Sequence, residues 1–104
     1  MTVLRNQDQW DQSNVAFRDR KVTFYSKRVR SADTSYVDYG ATLVCKEVIQ
    51  RLPPDEPCDL ADLYSDLAQR GEMAGYEVKR RFYEIGSPAG LADTCRYLAT
   101  RRAF

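Results

Sequence analysis

Few side chains in this sequence are spaced so that they could do chemistry, and the clearest set lies in Arg81-Phe82-Tyr83-Glu84-Ile85-Gly86-Ser87-Pro88-Ala89-Gly90-Leu91. An apolar run with one carboxylate passes through a glycine into a helix start. Ser87 suits the N-cap, where its hydroxyl accepts from a free first-turn N–H. Pro88 suits the first helical position, where no N–H is needed. Strand ends that meet helix N-termini are where open α/β sheets bind ligands. Glu84 is therefore placed to hold a cation, and on sequence alone it also reads, more simply, as a solvated or salt-bridged strand-end Glu.

Three other places carry polar chemistry. Lys27, after Tyr25 and Ser26, offers a compact point charge of the kind that binds phosphate without forked geometry. In Asp38-Tyr39-Gly40, Gly40 lets a backbone come close to a ligand or marks a bulge, and Asp38 can accept from hydroxyls. Tyr36 and Tyr39 also fit a half-buried strand face. Asn14 is a further polar candidate. Arg18, Arg20, Lys21, Lys27, Arg28 and Arg30 place six positive charges within thirteen residues, opposed only by Asp19. Such a run steers a polyphosphate or other phosphate-bearing anion, or is a solvated hairpin edge. Nucleic acid is not expected, because it needs a wider basic face and exposed aromatics, and the aromatics here fall in phase with the apolar strand positions.

Other classes drop out on composition. With no histidine, His-based triads, His metal sites and imidazole acid–base catalysis are absent. Cys45, Cys58 and Cys95 are odd in number and lack C-x-x-C spacing, so they read as small apolar residues. A net charge of +1 gives no global field for nucleic acid or an anionic membrane. No apolar run approaches the roughly 20 residues of a membrane span, and no signal-peptide pattern opens the chain. The expected location is the cytoplasm, with no membrane partner.

The elements that must position these residues follow from period and punctuation. Thr2 to Leu4 reads as an interior strand. Val15, Phe17, Val22 and Phe24 alternate on either side of Arg18-Asp19-Arg20, which predicts a hairpin whose turn is longer than two residues or mildly strained. Arg28 to Thr34 reads as a loop, Tyr36 to Val44 as a strand interrupted by Gly40, and Cys45 to Leu52 as a short helix stopped by Pro53-Pro54. Asp59 caps a helix with Leu60, Leu63, Tyr64, Leu67 and Ala68 on one face, ended by Gly71. Met73 to Val78 and Phe82 to Ile85 read as strands, followed by a helix from Pro88 to about Ala99 with Leu91, Cys95 and Leu98 inward. The expected fold class is α/β, a mixed sheet with flanking helices, in one domain spanning residues 1–104.

In chain order, Met1-Thr2-Val3, Ser13-Asn14-Val15, Tyr25-Ser26-Lys27, Tyr36-Val37-Asp38-Tyr39-Gly40 and the Phe82-to-Pro88 stretch resemble successive pieces of the second half of a sugar-1-phosphate nucleotidyltransferase. The tail signature of that family runs aromatic, acid, Ile or Val, Gly, Ser or Thr, Pro. The resemblance implies the C-terminal half of a Rossmann-like nucleotide-diphospho-sugar transferase domain. The family's N-terminal glycine-rich nucleotide loop, its Lys-Pro and its first metal-binding Asp have no counterpart in this sequence.

The implied activity is transfer of a nucleotidyl group from a nucleoside triphosphate to a sugar 1-phosphate, with Mg²⁺ as cofactor and inactivity of this half alone. Glu84 stands where the family commonly has a metal-binding Asp. Asp38, Tyr39 and Gly40 stand at the sugar-side motif, often Asn-Ala-Gly in the family. Lys27 matches the lysine that reaches the sugar phosphate, with Ser26 in place of the neighbouring acid, and Asn14 falls on the sugar side. Implied partners are the sugar 1-phosphate and either a separately encoded N-terminal half or a second copy, because a half-sheet exposes an edge. The alternative is a non-catalytic α/β module that associates through that edge.

Overall fold

A computed structural model describes residues 1–101. Strand β1 (Thr2–Arg5) buries Val3 and Leu4 in the interior of the sheet. Strands β2 (Val15–Arg18) and β3 (Lys21–Tyr25) form the antiparallel hairpin that their alternation requires. Its turn is the strained two-residue kind: Asp19 and Arg20 take φ of 51° and 63°, where hairpin twist favours Asn or Gly. A register irregularity follows between Ala16 and Phe17.

Strand β4 (Tyr36–Asp38) pairs antiparallel with both β1 and β2. After one turn of helix α1 (Lys46–Ile49) comes α2 (Leu60–Gln69), then strand β5 (Tyr76–Val78), parallel to β1. The last element is helix α3 (Pro88–Thr100). The result is a mixed five-stranded sheet in the order β3-β2-β4-β1-β5.

This sheet curls rather than lying open. Its two ends meet where Lys21 bridges Ala74: Val22 N–H donates to Met73 O at 3.0 Å, and Gly75 N–H to Arg20 O at 2.8 Å. Gly75 is needed at this seam, since a Cβ there would strike the Phe17 ring. Helix α2 covers the curl. The Asp59 carboxylate caps it by accepting from Ala61 N–H at 2.9 Å, and Gly71, at φ 69°, ends it. Leu67 and Ala68 join Val3, Val15, Val22, Tyr25 and Met73 in the core, and Tyr64 meets Tyr25 edge-on at 5.6 Å. Each such buried aliphatic side chain contributes about 1.5–3 kcal/mol.

Several sequence expectations need correction. The 36–44 strand stops at Asp38, because the Asp38 carboxylate accepts from Gly40 N–H at 2.9 Å and turns the chain at Gly40, φ 94°. The 73–78 strand is regular only from Tyr76, its first half being taken up by the seam. Phe82 to Ile85 is irregular, since Glu84 folds back to cap α3. The expected inward face of α3 is reversed. Leu91 and Leu98 are about half exposed and Cys95 is exposed, whereas Gly90, Asp93, Thr94 and Tyr97 are the shielded positions. Cys45 and Cys58 are exposed as well. Among the described residues, no helix is long and apolar enough to cross a membrane.

Candidate functional site

The open end of the β2–β3 hairpin brings residues 14 and 26 side by side, with Ser26 N–H donating to Asn14 O at 3.0 Å. The segments leading into and out of the hairpin thereby face each other across a polar cavity of about 240 Å³. Asn14, Lys27, Arg30, Ser26, Gln12 and the acidic Asp11 are among the residues that line it. That is smaller than the roughly 300–1,000 Å³ of whole-ligand pockets, and it suits a phosphate group and part of a ring.

Asn14 is fixed on both sides. Its N–H donates to Tyr36 O at 2.9 Å, and its Oδ1 accepts from Asp38 N–H at 3.0 Å. With one lone pair of Oδ1 engaged, the side chain keeps its two NH₂ donors and a second acceptor site. Asp38 and Asp59 both act on the phenol of Tyr25, which is pushed up to about 12, first by burial and then by Asp38, Tyr64 and Asp59. The ring stays a neutral hydroxyl at physiological pH. The Lys27 ammonium lies 3.9 Å from Asp59 Oδ1, an ion pair about half exposed and so weak.

Arg30, on the cavity's other side, pairs with Asp8 and holds that carboxyl below its usual range; Ser13 N–H adds to the effect. Asp8 belongs to a tight loop with two buried polar anchors. The Asn6 amide donates to Ser13 Oγ at 3.0 Å and to Asp11 O at 2.6 Å, while Ser13 Oγ accepts from Asp8 N–H at 3.1 Å. Ser13 N–H returns to Asp8 Oδ1 at 2.8 Å. Gln7 and Asp8 sit at φ 47° and 59°, so the loop's backbone is held in place by these bonds.

The six candidate residues thus fall into four places. Asn14 and Lys27 share the small cavity, and Asp38 is tied to it through Asn14. Gly40 turns away into a larger apolar groove of about 890 Å³ between the 40–45 segment and residues 72–76. Tyr39 packs edge-on against Phe82 at 6.3 Å. Glu84 lies by a third cavity, of about 460 Å³, with Trp10, Arg81 and Arg96. The residues missed by the sequence reading are Arg30 as a cavity wall, Asp8 and Asp59 as its outer counter-charges, and Asn6 and Ser13 as anchors. A basic run marks Arg30 without saying which of its six charges points inward, and no pattern marks a buried Asn or Ser.

Both oxygens of Glu84 are engaged by its own chain. Oε2 accepts from Gly86 N–H at 2.7 Å and Ser87 N–H at 3.1 Å, and Oε1 from the Ser87 hydroxyl at 2.7 Å. The Ser87 hydroxyl bond, then the Gly86 N–H, hold the carboxyl below its usual range. Among the described residues, no group of three or more His, Cys, Asp or Glu side chains gathers there or elsewhere. Mg²⁺ prefers several oxygen ligands in octahedral array, so these residues alone do not make its site.

In comparisons with known proteins, no family model, no curated protein and no solved structure matches this chain.

Proposed function

We propose that this chain is the sugar- and metal-side half of a sugar-1-phosphate nucleotidyltransferase, built as the C-terminal half of a Rossmann-like domain and inactive alone. One observation supports the reading above the rest. Lys27, which the resemblance assigns to the sugar phosphate, and Asn14, which it puts on the sugar side, line one polar cavity, and Asn14 is hydrogen-bonded to Asp38.

Little proton chemistry is needed, since a phosphate monoester is already largely ionised at neutral pH. The protein's task is to position and neutralise two anions. Lys27 supplies charge, while the Asn14 NH₂ group and the Asp38 carboxylate orient ring hydroxyls. Mg²⁺ enters this reading only with ligands from a partner that brings the nucleotide loop, Glu84 adding one. That partner is a separately encoded N-terminal half or a second copy. Neither nucleic acid nor a membrane takes part, and the compartment is the cytoplasm.

The test is titration of the chain with hexose 1-phosphates, with and without Mg²⁺, followed by mixing with a chain that carries a glycine-rich nucleotide loop. Pyrophosphate release by the mixture, lost in Lys27→Gln, is the expected result. No binding of any hexose 1-phosphate would overturn the reading.

A second reading, an interaction module, is favoured by the apolar groove beside Gly40. Leu43 at its rim is 99% exposed and Tyr76, on the edge strand β5, is 71% exposed. Concentration-dependent self-association without sugar-phosphate binding would select it.

A further inference from the structure

The basic run leaves open which of its charges act together. Lys27 and Arg30 line the same cavity, as does Asp11, whose carboxylate accepts from Gln12 N–H at 2.7 Å, and each cation faces a further carboxylate on a separate element. Asp59, the cap of α2, lies 3.9 Å from Lys27 in a weak, half-exposed pair; Asp8, in the loop between β1 and β2, is hydrogen-bonded to Arg30 and holds it. The Asp8 loop is locked by Asn6 and Ser13, which are 1% and 2% exposed and are both hydrogen-bonded. A surface arginine needs no such foundation to be solvated. The Asn14 NH₂ group adds a neutral donor on the same wall.

From this arrangement we infer that the cavity is a two-cation phosphate subsite, with Arg30 binding the phosphate alongside Lys27 and Asp8 acting as the positioning residue for Arg30. The inference rests on the sugar-phosphate reading and adds a second ligand to it. The chemistry is complementary. A phosphomonoester dianion has more than one oxygen to satisfy, and a guanidinium fork beside an ammonium point charge answers it better than either alone. Because the half-neutralised cations already carry their own carboxylates, a singly charged anion gains less than a dianion. The site therefore selects monoesters over diesters and over unphosphorylated sugars.

The experiment is calorimetric titration of the full chain with inorganic phosphate, a hexose 1-phosphate and the free hexose. The proteins are the unaltered chain and the Lys27→Gln, Arg30→Gln and Asp8→Asn variants. The amide oxygen in Asp8→Asn keeps an acceptor for Ser13 N–H, so the loop survives while its hold on Arg30 weakens. Expected are a roughly tenfold loss of phosphate affinity in Arg30→Gln and in Lys27→Gln, and a smaller loss in Asp8→Asn, with melting temperatures unchanged. The affinity should also rise from pH 5 to pH 8 as the monoester gains its second charge, near pH 6, and this rise should shrink in Arg30→Gln. An Arg30→Gln chain that binds as the unaltered one does, while Lys27→Gln does not bind, overturns the two-cation assignment and leaves the sugar-phosphate reading standing. An unaltered chain that binds neither phosphate nor the hexose 1-phosphate overturns both.

Discussion

Glu84 and Ser87 cap α3 together: the Ser87 hydroxyl donates to Glu84 Oε1 at 2.7 Å while accepting from Gly90 N–H at 3.0 Å. Glu84 also accepts from Gly86 N–H and Ser87 N–H, so one carboxylate and one hydroxyl tie together the first turn and the segment before it. A residue whose position suggests metal chemistry thus also starts a helix.

The cap makes α3 sensitive to acid. A carboxyl held below its ordinary value favours the folded cap above the unfolded value, near 4.5, and that contribution is lost as pH falls through the lowered folded value. Helical signal and amide protection across residues 88–100 should therefore decline below about pH 4.5 before the sheet melts, and Glu84→Gln should reduce this early step, the remainder coming from Asp93, whose carboxyl Arg96 and Arg81 also hold below its usual range. Ser87→Ala should cost α3 about 1 kcal/mol of local stability, read by hydrogen exchange.

Gly90 tests the same contact by volume. An added Cβ at residue 90 would meet the Glu84 carboxylate and, at 2.9 Å, the Glu84 backbone oxygen. Alanine ordinarily stabilises a helix by about 1 kcal/mol over glycine. Gly90→Ala should instead lower α3 protection. The same change in a Glu84→Ala background should cost less, with a remainder due to the backbone oxygen. Equal helix protection in the unaltered chain and Gly90→Ala would refute the contact.

Helix α3 contributes nothing to the core, and polar and aromatic contacts hold it. Tyr97 stacks on Tyr83 at 4.0 Å, Arg81 lies over Tyr83 at 4.3 Å and bonds to Asp93 at 2.9 Å, and the Thr94 hydroxyl donates to Glu84 O at 2.9 Å. Hydrogen exchange should show α3 opening well below the global unfolding free energy. Arg81→Ala should widen that gap without moving the melting temperature of the sheet.

Two leucines separate the faces sharply. Leu67 is buried against β3, and Leu67→Ala should cost about 2–5 kcal/mol of global stability. Leu98 is 52% exposed, and Leu98→Ala should stay within about 0.5 kcal/mol. Urea denaturation of the two variants decides between this placement of α3 and one with Leu91 and Leu98 turned inward.

What could be read from the sequence follows which interactions are local. Asp59 at the head of α2, Gly71 at its end, the 15–25 hairpin and the Ser87 cap all rest on neighbours within a few residues, and period and capping rules reach them. Tyr36 to Val44 has the residues of a strand, yet the Asp38–Gly40 bond ends it, a competition between side chain and ladder that propensity does not weigh. Leu91, Cys95 and Leu98 have helical spacing, but spacing names a face without naming what covers it. At the cavity, Lys27 and Asn14 were legible by type. Arg30 needed the fold, because its direction is set by Asp8, twenty-two residues earlier.

The seam between Val22 and Met73 joins parts of the chain about fifty residues apart. The hairpin of β2 and β3 closes over a few residues, whereas its outer edge is not satisfied until residues 73–75 return to it, a long loop whose closure is entropically slow. Until then β3 offers bare N–H and C=O groups to any neighbouring chain. Gly75, by letting the chain come that close beside Phe17, is what allows this outer edge of the hairpin to be covered at all.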